Sequence, residues 1–546
     1  MPEPKKIRVG VLCSGTILPH WQAQVIRHLR EVPGAELVVY GSPQLDQFFS
    51  RNSKGALYER IRKRFLEMLT PNSLVPVDLT EQLVQVPGVE LVRTSTEQLD
   101  LSTLVSYSPD VVISLLPVED ELITTTRNIP VWCFSFEGGG LMPNAMPNLQ
   151  QKMLRDGTMQ VELSASNIGS ITSQFPLRTD QDEPTLDLVL LGASWLPACM
   201  VAAMAEGRTD LVQIDPIRTG KRSEVQITIL TLLWMMADLR FRQFGRKRDP
   251  KPMVPEWNIG ILYQPISALL EEDPSMNVRW LPSPSEGNKR MEPFGYTAPD
   301  GQLNVLYRKN QRNSAFDEIA KLRPKSDSVL KRSRTMLTAA AGLQYPFVVE
   351  RDNGTFALIS YPAQDRIELF RVSISNDKLE HHKTLINKSL INPTSIKFEE
   401  RWWLIGTDPD APDSILLAYY ADEFEGPYKE HPLNPLKFSD KSTRPAGTPF
   451  MHEGELWRPA RDGSTPNTDH VTLNRVKRLS TTEFEEEVVR RIEGFPGTVY
   501  AKGIRTMCAM GDITLIDGLR GVGVEKKPHK EKGRSRSHGE RKHKKE

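Results

Sequence analysis

The 546-residue chain is 39% hydrophobic and 25% charged, an ordinary globular composition that is long enough for two or more domains. Its net charge of +1 supplies no global field for nucleic acid or an anionic membrane, and its four widely spaced cysteines argue against a disulfide framework or a Cys-x-x-Cys zinc site. We expect a cytoplasmic protein, because the sequence shows no signal peptide and no stretch apolar enough to span a bilayer.

The first half of the chain alternates predicted strands and helices. Strands are predicted at 7–13, 36–40, 89–92, 110–116 and 129–136, helices at 21–30, 56–69 and 185–205, and an antiparallel strand pair at 161–163 and 171–175. This alternation is typical of a doubly wound parallel sheet, which binds ligands at the carboxyl ends of its strands. The two loops at those ends, Ser14-Gly15-Thr16 and Glu137-Gly138-Gly139-Gly140, lack the Gly-x-Gly-x-x-Gly pattern of a dinucleotide site.

Four segments of this half occur in a familiar order: Ile7-Arg-Val-Gly-Val-Leu, Asp110-Val-Val-Ile-Ser, Val131-Trp132-Cys-Phe and Asn167-Ile-Gly169-Ser-Ile171. With them, residues 6–205 resemble the N-terminal domain of the formyltransferases that act on methionyl-tRNA and sugar nucleotides. The resemblance implies a Rossmann-like domain, formyl-tetrahydrofolate as the cofactor of an active enzyme, and an Asn-His-Asp set in which the imidazole moves the proton.

This chain departs from that set. The segment where the Asn and His are expected reads Trp132-Cys133-Phe134-Ser135-Phe136, and the expected Asp corresponds to Asn167. Ser135, Glu137 and Asn167 are therefore the ligand-binding candidates of this half, and formyl transfer is in doubt because the general acid/base is replaced.

A linker joins the two halves, and a basic tail ends the chain. Ser223-Glu-Val-Gln226 is a capping-box pattern, and apolar residues at helical spacing then predict an amphipathic helix that ends at Gly245. Residues 526–546 hold ten Lys or Arg and three Asp or Glu with few apolar residues, so we predict a disordered tail. Such a tail suits an acidic partner or nucleic acid, or serves only as a solubilising end.

The second half repeats one short pattern four times. A Pro precedes an apolar run, a polar turn and a second strand at Pro293, Pro346, Pro393 and Pro449, which are 53, 47 and 56 residues apart. A period near 50 with hairpin content is typical of a β-propeller, although four hairpins of a β-sandwich are the alternative. A fifth repeat is predicted at 502–508 and 512–517, with the last blade closed by strands from both ends of the domain.

The most specific segment of this half is Arg444-Pro445-Ala446-Gly447-Thr448-Pro449-Phe450, supported by Arg458-Pro459-Ala460 and Asn392-Pro-Thr394. Residues 255–525 resemble the arabinanase-like five-bladed propellers of glycoside hydrolases, and above all the propeller that precedes the glycosyltransferase part of plant glucosamine inositolphosphorylceramide transferases. The same resemblance includes bacterial fusions of such a propeller to a formyltransferase-like domain.

The resemblance directs the residue before each repeated Pro toward an axial cavity. Those residues are Glu292, Tyr345, Asn392 and Thr448, and a histidine expected near the end corresponds to Arg505. Glycoside hydrolysis needs two carboxylates, and only Glu292 remains there; Asp462 is the second weak catalytic candidate, although an ion pair with Arg458 or Arg461 is its simpler interpretation. Arg444 and Arg458 are candidate ligand-binding donors.

Three functions remain open. The first is a carbohydrate-associated protein that binds a glycan, an activated amino sugar or a sugar nucleotide without the parent reactions. The second is a diverged sugar N-formyl- or acyltransferase of glycan biosynthesis. The third is a non-catalytic scaffold that binds a protein partner. The predicted organisation is an α/β domain at 1–206, a linker at 207–254, a five-bladed propeller at 255–525 and the tail at 526–546, with no metal site.

Overall fold

The computed structural model describes most of two folded regions. It describes residues 5–41, 56–69, 72–80, 89–93, 106–116, 129–136, 158–165, 169–176 and 186–205, scattered positions from 207 to 240, and 253–523 apart from short gaps at 273, 275–276, 285–287, 312–315, 325–332, 340–341, 362–364, 374, 440 and 464–468. Glu137, Asn167, most of the predicted linker helix and the basic tail lie outside these residues.

The N-terminal region contains nine strands and four helices within its described residues. The strands are β1 (Ile7–Cys13), β2 (Ile17–Pro19), β3 (Ala35–Gly41), β4 (Pro76–Asp78), β5 (Val89–Arg93), β6 (Val111–Ser114), β7 (Val131–Phe136), β8 (Thr158–Ala165) and β9 (Gly169–Pro176). The helices are α1 (His20–Glu31), α2 (Ala56–Leu69), α3 (Asp187–Ala193) and α4 (Leu196–Ala205).

Seven of these strands form one sheet in the order β5-β3-β1-β6-β7-β8-β9. The first five are parallel, and β7, β8 and β9 pair antiparallel. A doubly wound fold needs a crossover helix between successive parallel strands. The described residues provide only α1 and α2 for this purpose, so the Rossmann-like, formyltransferase-like assignment is not established by this sheet.

The predicted helix at 185–205 is two helices, α3 and α4, separated at Ser194 and Trp195. Pro197, the second residue of α4, explains the break, because it has no N–H to donate to the carbonyl of Ala193 four residues earlier. The break turns Trp195 out of the N-terminal core and into the core of the propeller.

The second region is a five-bladed β-propeller, and most of the regular secondary structure in the described residues is β. Its strands are β10 (Met253–Leu262), β11 (Val278–Trp280), β12 (Lys289–Thr297), β13 (Leu303–Asn310), β14 (Asp317–Leu322), β15 (Arg334–Ala339), β16 (Phe347–Arg351), β17 (Gly354–Tyr361), β18 (Arg366–Ser373), β19 (Lys378–Ile386), β20 (Ile391–Phe398), β21 (Arg401–Thr407), β22 (Ile415–Ala421), β23 (Lys429–Glu430), β24 (Lys437–Phe438), β25 (Phe450–His452), β26 (Glu455–Asp462), β27 (His470–Leu479), β28 (Phe484–Ile492), β29 (Met507–Met510) and β30 (Ile513–Gly523), with a 3₁₀ helix at Ile266–Leu270.

Four blades are consecutive antiparallel sheets: β12–β15, β16–β19, β20–β24 and β25–β28. The fifth has the order β11-β10-β30-β29, so strands from both ends of the domain close the ring, as the sequence predicts. The closing pair, β10 with β30, is in register over ten residues from Met253–Gly523 to Leu262–Thr514. Closure of this kind leaves no long free edge between the first and last blades.

Candidate functional site at the propeller axis

The innermost strands are interrupted at the residue before the repeated Pro. Glu292, Tyr345 and Asn392 have φ angles of 56°, 53° and 53°, a left-handed conformation that costs a non-glycine residue about 1 kcal/mol or more. The strand pairing shifts between Met291 and Phe294 and between Ile391 and Thr394, as expected of a bulge. The distortion turns these side chains away from their own blade.

Each of the three side chains then reaches another blade. Oε2 of Glu292 accepts a hydrogen bond of 2.6 Å from the backbone N–H of Tyr345. The Tyr345 hydroxyl accepts one of 2.7 Å from the N–H of Gly447, and Nδ2 of Asn392 donates one of 2.7 Å to the carbonyl of Pro445. All three residues are at most 4% exposed. The residues before the repeated Pro therefore tie blades together.

Asp517 of β30 is a further member of this ring. Its carboxylate accepts hydrogen bonds from the N–H groups of Glu292 at 2.9 Å and of Arg505 and Thr506 at 2.8 Å each. Burial raises the pKa of this carboxyl to about 6 despite the three donors. Asp517 has no exposed surface, so a substrate does not reach it and its role is to join the fifth blade to the first.

Three arginines, Arg444, Arg461 and Arg505, form a wall beside this ring, the arginine wall. Arg444 lies 3.2 Å from Oδ1 of Asn392 and 3.5 Å from Oδ1 of Asp413. Arg461 and Arg505 share one partner, Asp469, at 2.5 Å and 2.9 Å. Their side chains are 13%, 15% and 28% exposed, so they are partly open to solvent while the ring beneath them is closed.

Two of these guanidinium groups contain a buried donor that has no acceptor within the described residues. The Nε atoms of Arg444 and Arg505 are buried and have no hydrogen-bond partner within the described residues. Burial, together with the nearby charge of Arg461, lowers the pKa of Arg444 to about 10. A buried donor without an acceptor is unfavourable, but these two atoms have no accessible surface, so a ligand can reach only the exposed parts of the two guanidinium groups.

Two predicted residues point away from the axis. Arg458 is fully enclosed: it bonds Glu486 through Nε at 2.9 Å and Nη2 at 2.6 Å, and it donates to the carbonyls of Ser442 and Thr443. Asp462 forms its ion pair with Arg491 at 2.8 Å, rather than with Arg458 or Arg461.

The alternation of side chains along β26 explains both placements. Positions 458 and 462 lie on one face of the sheet, where their side chains reach residues of β28, whereas the side chain at position 461 lies on the opposite face. Arg461, which the sequence analysis treated only as a neighbour of Asp462, is therefore the β26 residue that reaches the arginine wall.

The other predicted positions are structural or remote from the axis. The Thr448 hydroxyl is 3.5 Å from Sγ of Cys508, and its N–H donates to the carbonyl of Met507 at 3.0 Å. Ser135 lies half-buried on β7 opposite Glu162, in the N-terminal sheet. No three His, Cys, Asp or Glu side chains converge as a metal site within the described part of the chain.

Glu292, Asp462 and Asp517 are not placed as a hydrolytic pair at this axis. Glu292 is engaged with Tyr345 and is 4% exposed, Asp517 is closed off, and Asp462 faces the outer strand. A glycosidase places two reachable carboxyl groups on either side of the scissile bond. The described axial residues offer instead a wall of guanidinium and carboxylate groups suited to hydrogen bonding.

No helix among the described residues is long and apolar enough to cross a membrane.

Comparison with known proteins bears on the propeller. The chain is 30% identical over 156 residues to glucosamine inositolphosphorylceramide transferase 1 of Oryza sativa subsp. japonica and 24% identical over 156 residues to the protein of that name from Arabidopsis thaliana. Each match covers 28% of this chain, and 21% and 20% of those proteins, so the chain spans about a fifth of the length of the curated relatives it matches.

A solved structure of Zg3597, a family 117 glycoside hydrolase produced by the marine bacterium Zobellia galactanivorans, matches 51% of this chain and 97% of that chain at 10% identity. Its TM-score of 0.31 is too low for a conclusion about fold or function. The sequence match is more specific. Residues 287–501, which include four of the five blades, match the family model described as glucosamine inositolphosphorylceramide transferase 1, N-terminal.

Proposed function

We propose that this protein is carbohydrate-associated and that its propeller holds a sugar at the mouth of the axis without cleaving it. The observation that carries the proposal is the pairing of the partly exposed guanidinium groups of Arg444 and Arg505 with the partly exposed carboxylates of Asp413 and Asp469. The match of residues 287–501 to a family named for a glucosamine-containing lipid transferase supports the same class of ligand.

A sugar is complementary to this wall for a simple reason. Each hydroxyl both donates and accepts a hydrogen bond, so it satisfies a guanidinium donor and a carboxylate acceptor that stand side by side. Arg444 with Asp413, and Arg505 with Asp469, present two such pairs. Hydrogen bonds to charged groups each contribute about 1.5–3 kcal/mol, which is enough for selective binding of a small polar ligand.

The test is calorimetric titration of the full chain with hexoses, hexosamines and nucleotide sugars. We expect one of these classes to bind, and R444K to weaken binding about tenfold because lysine keeps the charge but loses the planar donor fork. R401K is the matched control, since Arg401 pairs with the exposed Asp422 and touches none of the axial residues named above. Absence of binding by all three ligand classes would overturn the proposal and leave the protein-binding scaffold as the better account.

A diverged N-formyl- or acyltransferase is the second candidate. The five parallel strands β5-β3-β1-β6-β7, followed by the antiparallel β8 and β9, favour it, because the resemblance of residues 6–205 implies a Rossmann-like sheet. The residues on β7 do not fit formyl-tetrahydrofolate chemistry, since Val131–Phe136 contains no histidine or asparagine. We therefore expect no formyl transfer from that cofactor to an amino sugar, and measurable transfer would establish the enzyme instead.

A further inference from the structure

Three cations converge where the fifth blade meets the first, beside the arginine wall. Lys289 and Arg308 lie on the paired strands β12 and β13, and Arg308 is directly opposite Met291. Nη1 of Arg505 lies 3.9 Å from Sδ of that methionine. The Arg505 guanidinium also stacks on the indole of Trp257, with its carbon 4.5 Å from the ring centre, which fixes the plane of its donors.

At this junction the described cations outnumber the carboxylates that pair with them. Arg308 pairs with Asp317 at 3.3 Å, and Arg505 shares Asp469 with Arg461. The Lys289 side chain has no hydrogen bond or ion pair to any described residue, although it is half-buried. Lys289 is therefore a cation without a described counter-ion beside two guanidinium groups.

The charged form of Lys289 is unfavourable at this position. Burial lowers its pKa, and repulsion from Arg505 and Arg308 lowers it further. Unpaired lysines on a protein surface normally extend into water and avoid such neighbours. An anion between the three groups would remove this repulsion, so the junction favours a negatively charged ligand.

We propose that the sugar bound at the axis carries a phosphoryl group, and that Lys289, Arg308 and Arg505 hold this group. This inference rests on the proposed function, because it assigns the charged end of the same ligand. Two guanidinium forks and one ammonium match the three peripheral oxygens of a phosphate monoester, or the oxygens of the diphosphate in a nucleotide sugar. Arg505 stands at the border of the two subsites and contacts both parts of the ligand.

The experiment compares ligands that differ only in the phosphoryl group. A hexosamine, its 1-phosphate, the corresponding nucleotide diphosphate sugar and inorganic phosphate are each titrated into the full chain. We expect a phosphorylated sugar to bind at least tenfold more tightly than the free hexosamine, and the monoester and diphosphate arms to identify which form is preferred. The advantage should shrink as salt concentration rises, because the three cations are partly exposed.

The variant K289Q separates the inference from general destabilisation. Lys289 has no described partner to lose, so we expect K289Q to fold, to reduce the phosphate advantage to about threefold or less, and to leave the affinity for free hexosamine unchanged. K397Q, at an exposed position of β20, is the matched control and should behave as the wild type.

Each outcome decides between the two proposals. Equal affinity for free and phosphorylated hexosamine, or equal effects of K289Q and K397Q, would overturn the phosphoryl subsite and leave the proposed function intact. Binding of inorganic phosphate that depends on Lys289, with no binding of any sugar, would support the subsite and overturn the proposed function. Failure of all four ligands to bind would overturn both.

Discussion

Nε1 of Trp195 donates a hydrogen bond of 3.2 Å to Oδ2 of Asp408, and this bond joins the N-terminal region to the third blade of the propeller. His28 stacks on the same indole with the ring centres 3.7 Å apart. Asp408 begins the loop between β21 and β22, which also supplies Asp413 to Arg444. One loop therefore contacts both the neighbouring region and the wall of the axial site.

The loop predicts a pH dependence of stability. Burial raises the pKa of Asp408 from its usual 3.8 to about 6. Because the folded-state pKa is the higher one, the contribution is fully present below about pH 4 and is lost as pH rises through 6. Relative to the wild type, D408N should gain about 1–2 kcal/mol in unfolding free energy between pH 5 and pH 7.5, measured by urea denaturation.

The comparison must be made as a difference between variants. Burial also lowers the pKa of His28 well below its usual value, so this histidine stabilises the fold as pH rises and opposes Asp408. D422N is the control, because Asp422 is 82% exposed and pairs only at the surface. Parallel pH profiles for D408N and wild type would contradict the prediction.

The buried pair of Arg458 and Glu486 predicts a large loss of stability on truncation. Both side chains are at most 2% exposed, and removing the guanidinium leaves Glu486 with Lys437 as its remaining cation. We expect R458M to destabilise the protein by about 3–5 kcal/mol, and the double variant R458M/E486L to lose less than the two single variants combined.

A surface pair provides the contrast for that measurement. Arg475 and Glu487 pair on β27 and β28 where solvent screens them, so R475M should change the denaturation midpoint little. Equal effects of R458M and R475M would show that the enclosed pair does not support the blade.

The Tyr345 hydroxyl predicts a specific cost at the axis. It is the acceptor for the N–H of Gly447, across the ring from the second blade to the fourth. Y345F keeps the ring but leaves that buried N–H without its partner, so we expect a loss of about 1–3 kcal/mol in thermal unfolding. Y263F, which removes only an exposed hydrogen bond from Arg279, should change the midpoint little; a wild-type midpoint for Y345F would refute the bridge.

Gly447 itself predicts the most damaging single substitution. Its φ is 142°, and a Cβ placed on it would lie 1.7 Å from the carbonyl oxygen of Met507. Since that oxygen is backbone, it cannot move aside, and G447A should prevent the fourth and fifth blades from joining. We expect little folded protein by circular dichroism, whereas G454A, with open space around its Cβ, should fold with only the modest cost of a left-handed residue.

Much of the propeller could be predicted from sequence because its repeats are local. The spacing of Pro293, Pro346, Pro393 and Pro449 predicts the blades, and the run at 512–517 predicts the closing strand that became β30. The resemblance to arabinanase-like propellers directs Glu292, Tyr345 and Asn392 toward the axis. The sequence does not predict their hydrogen bonds to other blades, because each partner is a backbone atom about 50 or more residues away.

The rest of the site depends on strand pairing and on the packing of blades, which the order of residues along the chain does not show. Arg461 and Asp462 are adjacent in sequence, and only the pairing of β26 with its neighbours decides which one faces the arginine wall. Asp413 lies on a loop with no motif of its own, and Lys289 is notable only because Arg308 and Arg505 stand beside it. Such convergence arises from closure of the ring.

The pairing of β10 with β30 has a consequence for synthesis of the chain. About 250 residues separate the two strands, so β10 emerges from the ribosome long before its partner exists. Four blades can assemble during translation, while the edge of β10 that will pair with β30 stays unpaired. Such an unpaired edge can pair with other nascent chains. We expect the fifth blade to be the last step of folding and the step that a holdase chaperone most protects.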